Sequence, residues 1–352
     1  MNESSIHIDN RRIGDEEQVF VIAEAGVNHN GDLGFAKRLI DVAVEAGADA
    51  VKFQSFKTES VISPVAPKAD YQIRLDDPGE SQFDMVKRLE LDRKAHREIS
   101  SYCRRKDIIF ISTPFDEESS DFLEELDVPL FKIASGEITN LPLLRYVAKK
   151  GRPMLLSTGM SYLSEVDRAV RSICEEGNPQ MALLHCVSNY PAHPSDINLN
   201  AMATLRRAFK MPVGYSDHSL GIEIAIAAVA LGACIVEKHF TLDKTLPGPD
   251  HSMSLDPAEL AALVTGIRKI SVALGDGIKA PAESEIPMRA IARRSLSALQ
   301  KIAAGTPITR SMIGIRRPGS GIEPTHLDLL LGKAPVRSIK KDAPLTWDDF
   351  LV

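Results

Sequence analysis

Short apolar runs rich in Val, Ile, Leu and Phe recur along the chain, and each turns polar at its carboxyl end. They begin at Val19 (VFVIAEAG), Ala50 (AVKFQSF), Ile108 (IIFISTPF), Leu130 (LFKIASGE), Pro153 (PMLLSTGM), Met181 (MALLHCVSNY), Pro212 (PVGYSDH) and Cys234 (CIVEKHF). Runs of this length read as buried strands. Between them, residues 33–47 and 162–177 among others carry apolar positions at helical spacing, and several such stretches end in Gly, the usual helix stop. Near-continuous apolar strands covered by helices imply a parallel sheet. Eight strand–helix units predict an α/β fold, a closed (β/α)8 TIM barrel, over an open doubly wound sheet with fewer strands.

Two places break the rhythm. The second connection, residues 57–107, holds an irregular piece (61–82) before a helical stretch beginning near Phe83. Loops that long inside compact domains tend to serve function, so this one is expected to hang over the barrel's catalytic end. After a helical stretch at 256–274 the pattern changes to short β-like pieces broken by Gly and Pro. The predicted organisation is a barrel at 1–275, a linker at 276–288 and a small β-rich domain at 289–352.

Composition narrows the class. A chain of 352 residues suits one large and one small domain, and 44% hydrophobic with 26% charged residues is ordinary for a soluble protein. A net charge of −6 argues against a general nucleic-acid binder while leaving room for a local basic patch. The apolar run Ile224–Val236 has 13 residues and contains Gly232, well short of the ~20 needed to cross a bilayer. The amino-terminal stretch is polar, without a signal-peptide core, so the expectation is a cytoplasmic protein with neither nucleic-acid nor membrane partners. Cys103, Cys174, Cys186 and Cys234 form no CxxC pair and read as reduced core thiols.

In a barrel, chemistry gathers at the carboxyl ends of the strands. Those ends carry Glu24, Asn28 and His29; Lys52 and Gln54; Thr113; then Lys132, Ser135 and Glu137. The later ends carry Ser157 and Thr158; His185, Ser188, Asn189 and Tyr190; Ser216, Asp217 and His218; Glu237, Lys238 and His239. Any one of these could be a hydrogen-bonded structural residue. Eight polar ends, with lysines inside two apolar runs, need more than that. A buried lysine is costly unless an anion pairs with it. Lys52 and Lys132, with Ser135, Ser157 and Ser216, suit a small anion with many oxygens, such as a phosphorylated carboxylic acid. His218 and His239 end neighbouring strands, which lie about 4.8 Å apart. Both imidazoles can therefore meet one metal ion, and oxygen ligands from substrate and water point to Mn2+ or Mg2+ over structural zinc. Glu24 and Glu137 are candidate acid/base groups, whereas His185 could equally be structural. No nucleophile elbow, Walker loop or GxGxxG fingerprint occurs.

The segments IAEAGVNHNGD, GADAVKFQSFK, STPFD, FKIASGEITNLPLL, LSTGM, LLHCVSNYP, GYSDHSLG, EKHFTLDKTLPGPDH and RRPGSGI resemble, in order, the motifs of the N-acetylneuraminate (sialic acid) synthase family. The resemblance spans essentially the whole chain, including a carboxyl-terminal part similar to the antifreeze-like (SAF) domain. It implies a transferase that condenses phosphoenolpyruvate with an open-chain N-acylated amino sugar, releasing phosphate and a nine-carbon 2-keto acid. By the same resemblance, Lys52, Thr113, Lys132, Ser135, Ser157, Ser216 and either Ser188 or Asn189 hold phosphoenolpyruvate. His218 and His239 bind a divalent metal, Mn2+ first with Mg2+ or Co2+ as alternatives, and Glu24 and Gln54 hold metal-bound water. Glu137, Tyr190 and Asp250 contact the sugar hydroxyls. Arg317 reaches the sugar's acyl end from the partner subunit, which implies a domain-swapped homodimer. The expected acceptor is N-acetylmannosamine, giving N-acetylneuraminate. The alternatives are 2,4-diacetamido-2,4,6-trideoxymannose, giving N,N′-diacetyllegionaminate, then a pseudaminate synthase or a non-catalytic sugar-phosphate binder.

Overall fold

A computed structural model describes residues 5–8, 11–68 and 79–350. The chain forms two compact units, Met1–Gly275 and Asp276–Val352.

The first unit opens with a hairpin in the polar amino-terminal stretch, where the strand pattern predicts none. Strands β1 (Ser5–Ile8) and β2 (Arg11–Gly14) pair antiparallel. Eight parallel strands follow: β3 (Phe20–Gly26), β4 (Ala50–Ser55), β5 (Ile109–Pro114), β6 (Phe131–Ile133), β7 (Met154–Ser157), β8 (Met181–Cys186), β9 (Val213–Asp217) and β10 (Ile235–His239). Every predicted strand forms. They run in the order β5-β4-β3-β10-β9-β8-β7-β6, and the edge strands β5 and β6 lie side by side, completing the TIM-type ring.

Alternation along each strand sorts its side chains. Outward residues such as Val21, Val51, Phe53, Phe131 and Val236 join the core beneath the helices. Inward residues Ile22, Ala50, Ile111, Leu130, Leu155, Leu184 and Ile235 form an apolar floor, sealed by Ile6, Ile8 and Ile13 of the hairpin. Each buried Ile or Leu of this floor contributes about 1.5–3 kcal/mol. Two residues further along the same strands, the inward positions become Glu24, Lys52, Thr113, Lys132, Ser157, Cys186 and Glu237, all buried. The polar layer therefore rests directly on the floor.

Helices occupy the expected intervals, including Leu33–Glu45, Leu163–Glu175 and Pro257–Leu274. The first starts where Asp32 accepts from the Phe35 amide at 2.7 Å, a standard N-cap. In the long connection, the helix Gln82–Leu89 is capped by Ser81. It packs Met85 and Leu89 on Val27, with Phe56 and Val86 alongside. Val27 and Phe56 follow the carboxyl ends of β3 and β4, so the helix covers the end expected from its sequence. Part of the irregular piece, residues 69–78, lies outside the described residues. The cysteines are all free, as expected, but Cys174 is exposed on the outer face of its helix and is no core thiol.

The second unit pairs β11 (Ser295–Ala298) antiparallel with β12 (Ile313–Arg316). Bridges Ser297–Pro344 and Ile302–Ile339 extend it around a small core that includes Leu296, Ile302, Ile308, Ile313 and Leu345. The predicted linker is partly helical, because Ile286–Ala292 forms a helix. Its Ile286, Met288 and Ile291 are at least 50% exposed. Among the described residues no helix is long and apolar enough to cross a membrane.

Candidate active site

Strand register builds the centre of the polar layer. Glu24 lies opposite Lys52, and Glu237 opposite Ser216. Lys52 Nζ sits 2.7 Å from Glu24 Oε2 and 3.5 Å from Glu237 Oε2, and donates to Thr113 Oγ1 at 3.0 Å. Lys132 Nζ donates to Ser157 Oγ at 2.8 Å and lies 3.4 Å from Glu237 Oε1, which accepts from Ser216 Oγ at 2.8 Å. A buried chain of alternating charge results: Glu24, Lys52, Glu237, Lys132. The environment separates its two carboxylates. Burial pushes Glu24 up to about 7 against the pull of Lys52, and the neighbouring Glu237 charge adds to the rise. Glu237 feels the same burial, yet Lys132, Lys52 and Ser216 together hold it down. The lysines split too. Burial lowers Lys132, whereas for Lys52 the two carboxylates outweigh burial and raise it.

Beside Lys132, three elements form a cradle. Ser135 Oγ accepts from the Gly159 amide at 2.9 Å. A Cβ on Gly159 would stand 2.3 Å from Ser188 Oγ and 2.8 Å from Ser135 Oγ, so a larger residue would displace both hydroxyls. Of the two alternatives left open by sequence, Ser188 is the one brought here, while Asn189 is exposed.

The rings of His218 and His239 stand 5.5 Å apart. Tyr190 stacks on His218 at 4.1 Å and meets His239 edge-on at 5.8 Å. His218 Nδ1 donates to the Val187 carbonyl at 2.7 Å, leaving Nε2 to accept from the Tyr190 hydroxyl at 3.0 Å. His239 Nδ1 and Glu24 Oε1 are buried without hydrogen-bond partners. Both border the space that a Cβ on Gly26 would fill, at 3.4 Å and 3.1 Å. Burial, then the His218 and Lys52 charges, keep His239 neutral, the form that binds metals. Burial also pulls His218 down, but the Cys186 sulfur and the Val187 carbonyl outweigh it. Among the described residues no three His, Cys, Asp or Glu groups form a ready cage. Two imidazoles and an orphaned carboxylate oxygen therefore fit an ion that completes its shell with substrate and water.

Next to the histidines opens a cavity of about 190 Å³. Gln54, Tyr190, His239 and Asp250 supply its polar edge, and Phe56, Ile62, Met85, Val86, Leu89 and Phe115 its apolar wall. Burial raises the Asp250 carboxyl to about 6 against the opposing His218 charge.

Other sequence candidates stay outside this cluster. Glu137 is half-buried and accepts from Asn140 Nδ2 at 2.7 Å. Arg317 is exposed in the second unit. His185 Nε2 binds the Ile197 carbonyl at 2.6 Å, which is a structural tie. Asn28 joins the Phe240 carbonyl and Ser254. Lys238 pairs with Asp217 at 2.7 Å on the outward side. Sequence reasoning named Glu237 as a polar strand end and gave it no role. The available signal was parity, since Glu237 and His239 are two apart and share a face, while Lys238 points the other way.

Comparison with known proteins places this geometry. The profile described as the NeuB family matches residues 39–279, more than half of the chain. The chain belongs to the NeuB family. A SAF domain profile matches residues 293–351, as the resemblance implied. The chain is 49% identical to the N,N′-diacetyllegionaminic acid synthase of Campylobacter jejuni over 93% of its own length and 98% of that protein's. It is 38% identical to the human N-acetylneuraminate-9-phosphate synthase, covering 94% and 92% respectively. Among solved structures, the N-acetylneuraminic acid synthetase of Leptospira borgpetersenii, in complex with citrate, aligns with a TM-score of 0.72 at 41% identity, covering 81% of this chain and 94% of that one. These relatives bear out the expectation of a synthase and leave its sugar open.

Proposed function

We propose that the chain joins phosphoenolpyruvate to 2,4-diacetamido-2,4,6-trideoxymannose, yielding N,N′-diacetyllegionaminate and phosphate. The carrying observation is the cavity beside the histidines, polar on one edge and lined by Phe56, Ile62, Met85, Val86 and Leu89 on the other. A methyl group at carbon 6 and two acetamido methyls suit such a wall better than a hydroxyl does. A synthase of Legionella pneumophila with the same product in its name, 45% identical, also supports this acceptor. N-acetylmannosamine, the acceptor expected from sequence, ranks second. An apolar pocket discriminates against one added hydroxyl by no more than about a hundredfold.

In this reading Lys52, Thr113, Lys132, Ser135, Ser157, Ser188 and Ser216 bind phosphoenolpyruvate as the anion. His218 and His239 hold a divalent ion, Mn2+ with Mg2+ or Co2+ as alternatives, which supplies Lewis-acid polarisation of the aldehyde oxygen. Tyr190 and Asp250 orient the sugar hydroxyls, with Glu137 at the margin, and Gln54 holds water beside the metal position. Carbon 3 of phosphoenolpyruvate bonds to the aldehyde carbon, whose oxygen takes up a proton to become a hydroxyl; water adds at carbon 2, and collapse to the ketone breaks the carbon 2–oxygen bond, the hydroxyl proton leaving with phosphate. Glu24, poised near neutrality, takes the proton from that water. A domain-swapped homodimer, with Arg317 serving the partner's sugar, belongs to the same proposal. The exposed Ile286, Met288 and Ile291 support it.

Phosphate release with saturating Mn2+, comparing the two sugars, tests the assignment. The expected result is a kcat/KM at least tenfold higher with the trideoxy sugar. A preference for N-acetylmannosamine overturns the acceptor, and no release with either sugar overturns the reaction.

A further inference from the structure

Glu237 stands in an anion site without an obvious duty. It is 4% exposed, and its two oxygens lie 3.4 Å and 3.5 Å from the same two ammonium groups that phosphoenolpyruvate would use. A site evolved only for affinity would leave those lysines to the ligand. Ser216 donates to Glu237 Oε1 at 2.8 Å from the directly opposed position on β9, which holds the carboxylate between the two lysines. Its Oε2 faces Lys52 at 3.5 Å and has no closer hydrogen-bond partner.

Two lysines and a serine cradle would hold inorganic phosphate nearly as well as they hold the phosphoryl group of phosphoenolpyruvate. Phosphoenolpyruvate brings a second anionic group, its carboxylate, and so keeps an anchor that the product lacks. A fixed negative charge weighs on both ligands alike, and the one with a single anchor loses its hold first.

We propose that Glu237 is a positioning residue that spaces Lys52 and Lys132 and competes with cleaved phosphate for them, so that the site releases product while retaining phosphoenolpyruvate. This inference rests on the reading of the lysine cluster as the phosphoenolpyruvate site. Removing a unit negative charge that contacts both lysines, screened as charges near protein sites are, corresponds to roughly a tenfold to hundredfold or larger gain in phosphate affinity.

The test is inorganic phosphate binding, by calorimetry and by product inhibition, to the metal-loaded wild type and to Glu237→Gln, with single-turnover kinetics alongside. The substitution preserves volume and the bond from Ser216. The expected outcome is phosphate bound ten- to hundredfold tighter, a lower kcat, and a burst of the first phosphate followed by slow turnover. A merely structural Glu237 would weaken phosphate and phosphoenolpyruvate together, and equal or weaker phosphate binding overturns the inference. Glu237→Asp retains the charge but retracts it, so it should tighten phosphate by a smaller factor; it carries the test if Glu237→Gln fails to fold. Absence of both phosphate and phosphoenolpyruvate binding in the wild type overturns the site reading itself, and this inference with it.

Discussion

Replacing Glu24 by Gln probes the proposed reaction most directly. Glu24 and Glu237 flank the same lysine at 2.7 Å and 3.5 Å, yet their environments drive them apart. Burial lifts Glu24 to about 7, while Lys132 and Lys52 overcome burial to keep Glu237 ionised. Two carboxyls pushed apart in this way mark the proton carrier and the fixed charge. Gln keeps the shape and an oxygen for Lys52 but cannot accept a proton. Loss of general-base assistance costs roughly 10²–10⁴ in rate, which is about 3–5 kcal/mol of barrier. The pH profile sharpens the case. A base works in its ionised form, so wild-type kcat should rise with pH through the Glu24 titration and level off above it. A bound divalent cation nearby favours the carboxylate, which places that limb at or below pH 7. Phosphate release measured from pH 5 to 8.5 with saturating Mn2+ should show the limb in wild type and not in Glu24→Gln. Phosphoenolpyruvate affinity should hold or tighten, since one negative charge has left the cluster. A variant with full kcat, or one that keeps the limb, refutes Glu24 as the base.

Three further outcomes follow from packing. Asp217→Asn leaves Lys238 buried without its counter-ion, which costs roughly 3–5 kcal/mol; thermal melting should show the loss while the metal-loaded enzyme keeps its KM for phosphoenolpyruvate. Val86→Thr changes one face of the apolar wall without changing volume, and should shift the kcat/KM ratio toward N-acetylmannosamine by about 1 kcal/mol or more, given the cost of an unpaired hydroxyl. Ile8→Ala opens the sealed floor, where Ile8 is 0% exposed, and should cost roughly 2–5 kcal/mol of stability, read by denaturant unfolding. An unchanged midpoint would mean that the hairpin is dispensable.

Much of the scaffold was legible in the sequence, because a buried parallel strand needs a continuous apolar run and water-facing helices need a stripe. Those periods set the eight strands, the helices between them and the change of texture after Leu274. The polar residue at each carboxyl end announced where chemistry would gather. The motifs carried the family. The amino-terminal hairpin escaped, because only Ile6, Ile8 and Ile13 carry its apolar face in a charged background, and the barrel floor they cover is assembled from strands distant in sequence.

Within the polar ends, the sequence already favoured Lys52 and Lys132 over Lys238, and His239 over His185, but it could not show which of them face the barrel interior. All are polar residues in apolar runs, and only closure of the ring decides which face is inward. Partners depend on register between strands far apart in the chain: Glu24 met Lys52, Glu237 met Ser216, and Ser188, not Asn189, met Gly159. A strand's own sequence fixes which of its residues share a side, whereas charge pairing, burial and proton affinity arise only between strands. Hence the class of chemistry was readable along the chain, and the division of labour between two nearly adjacent carboxylates belonged to the folded barrel.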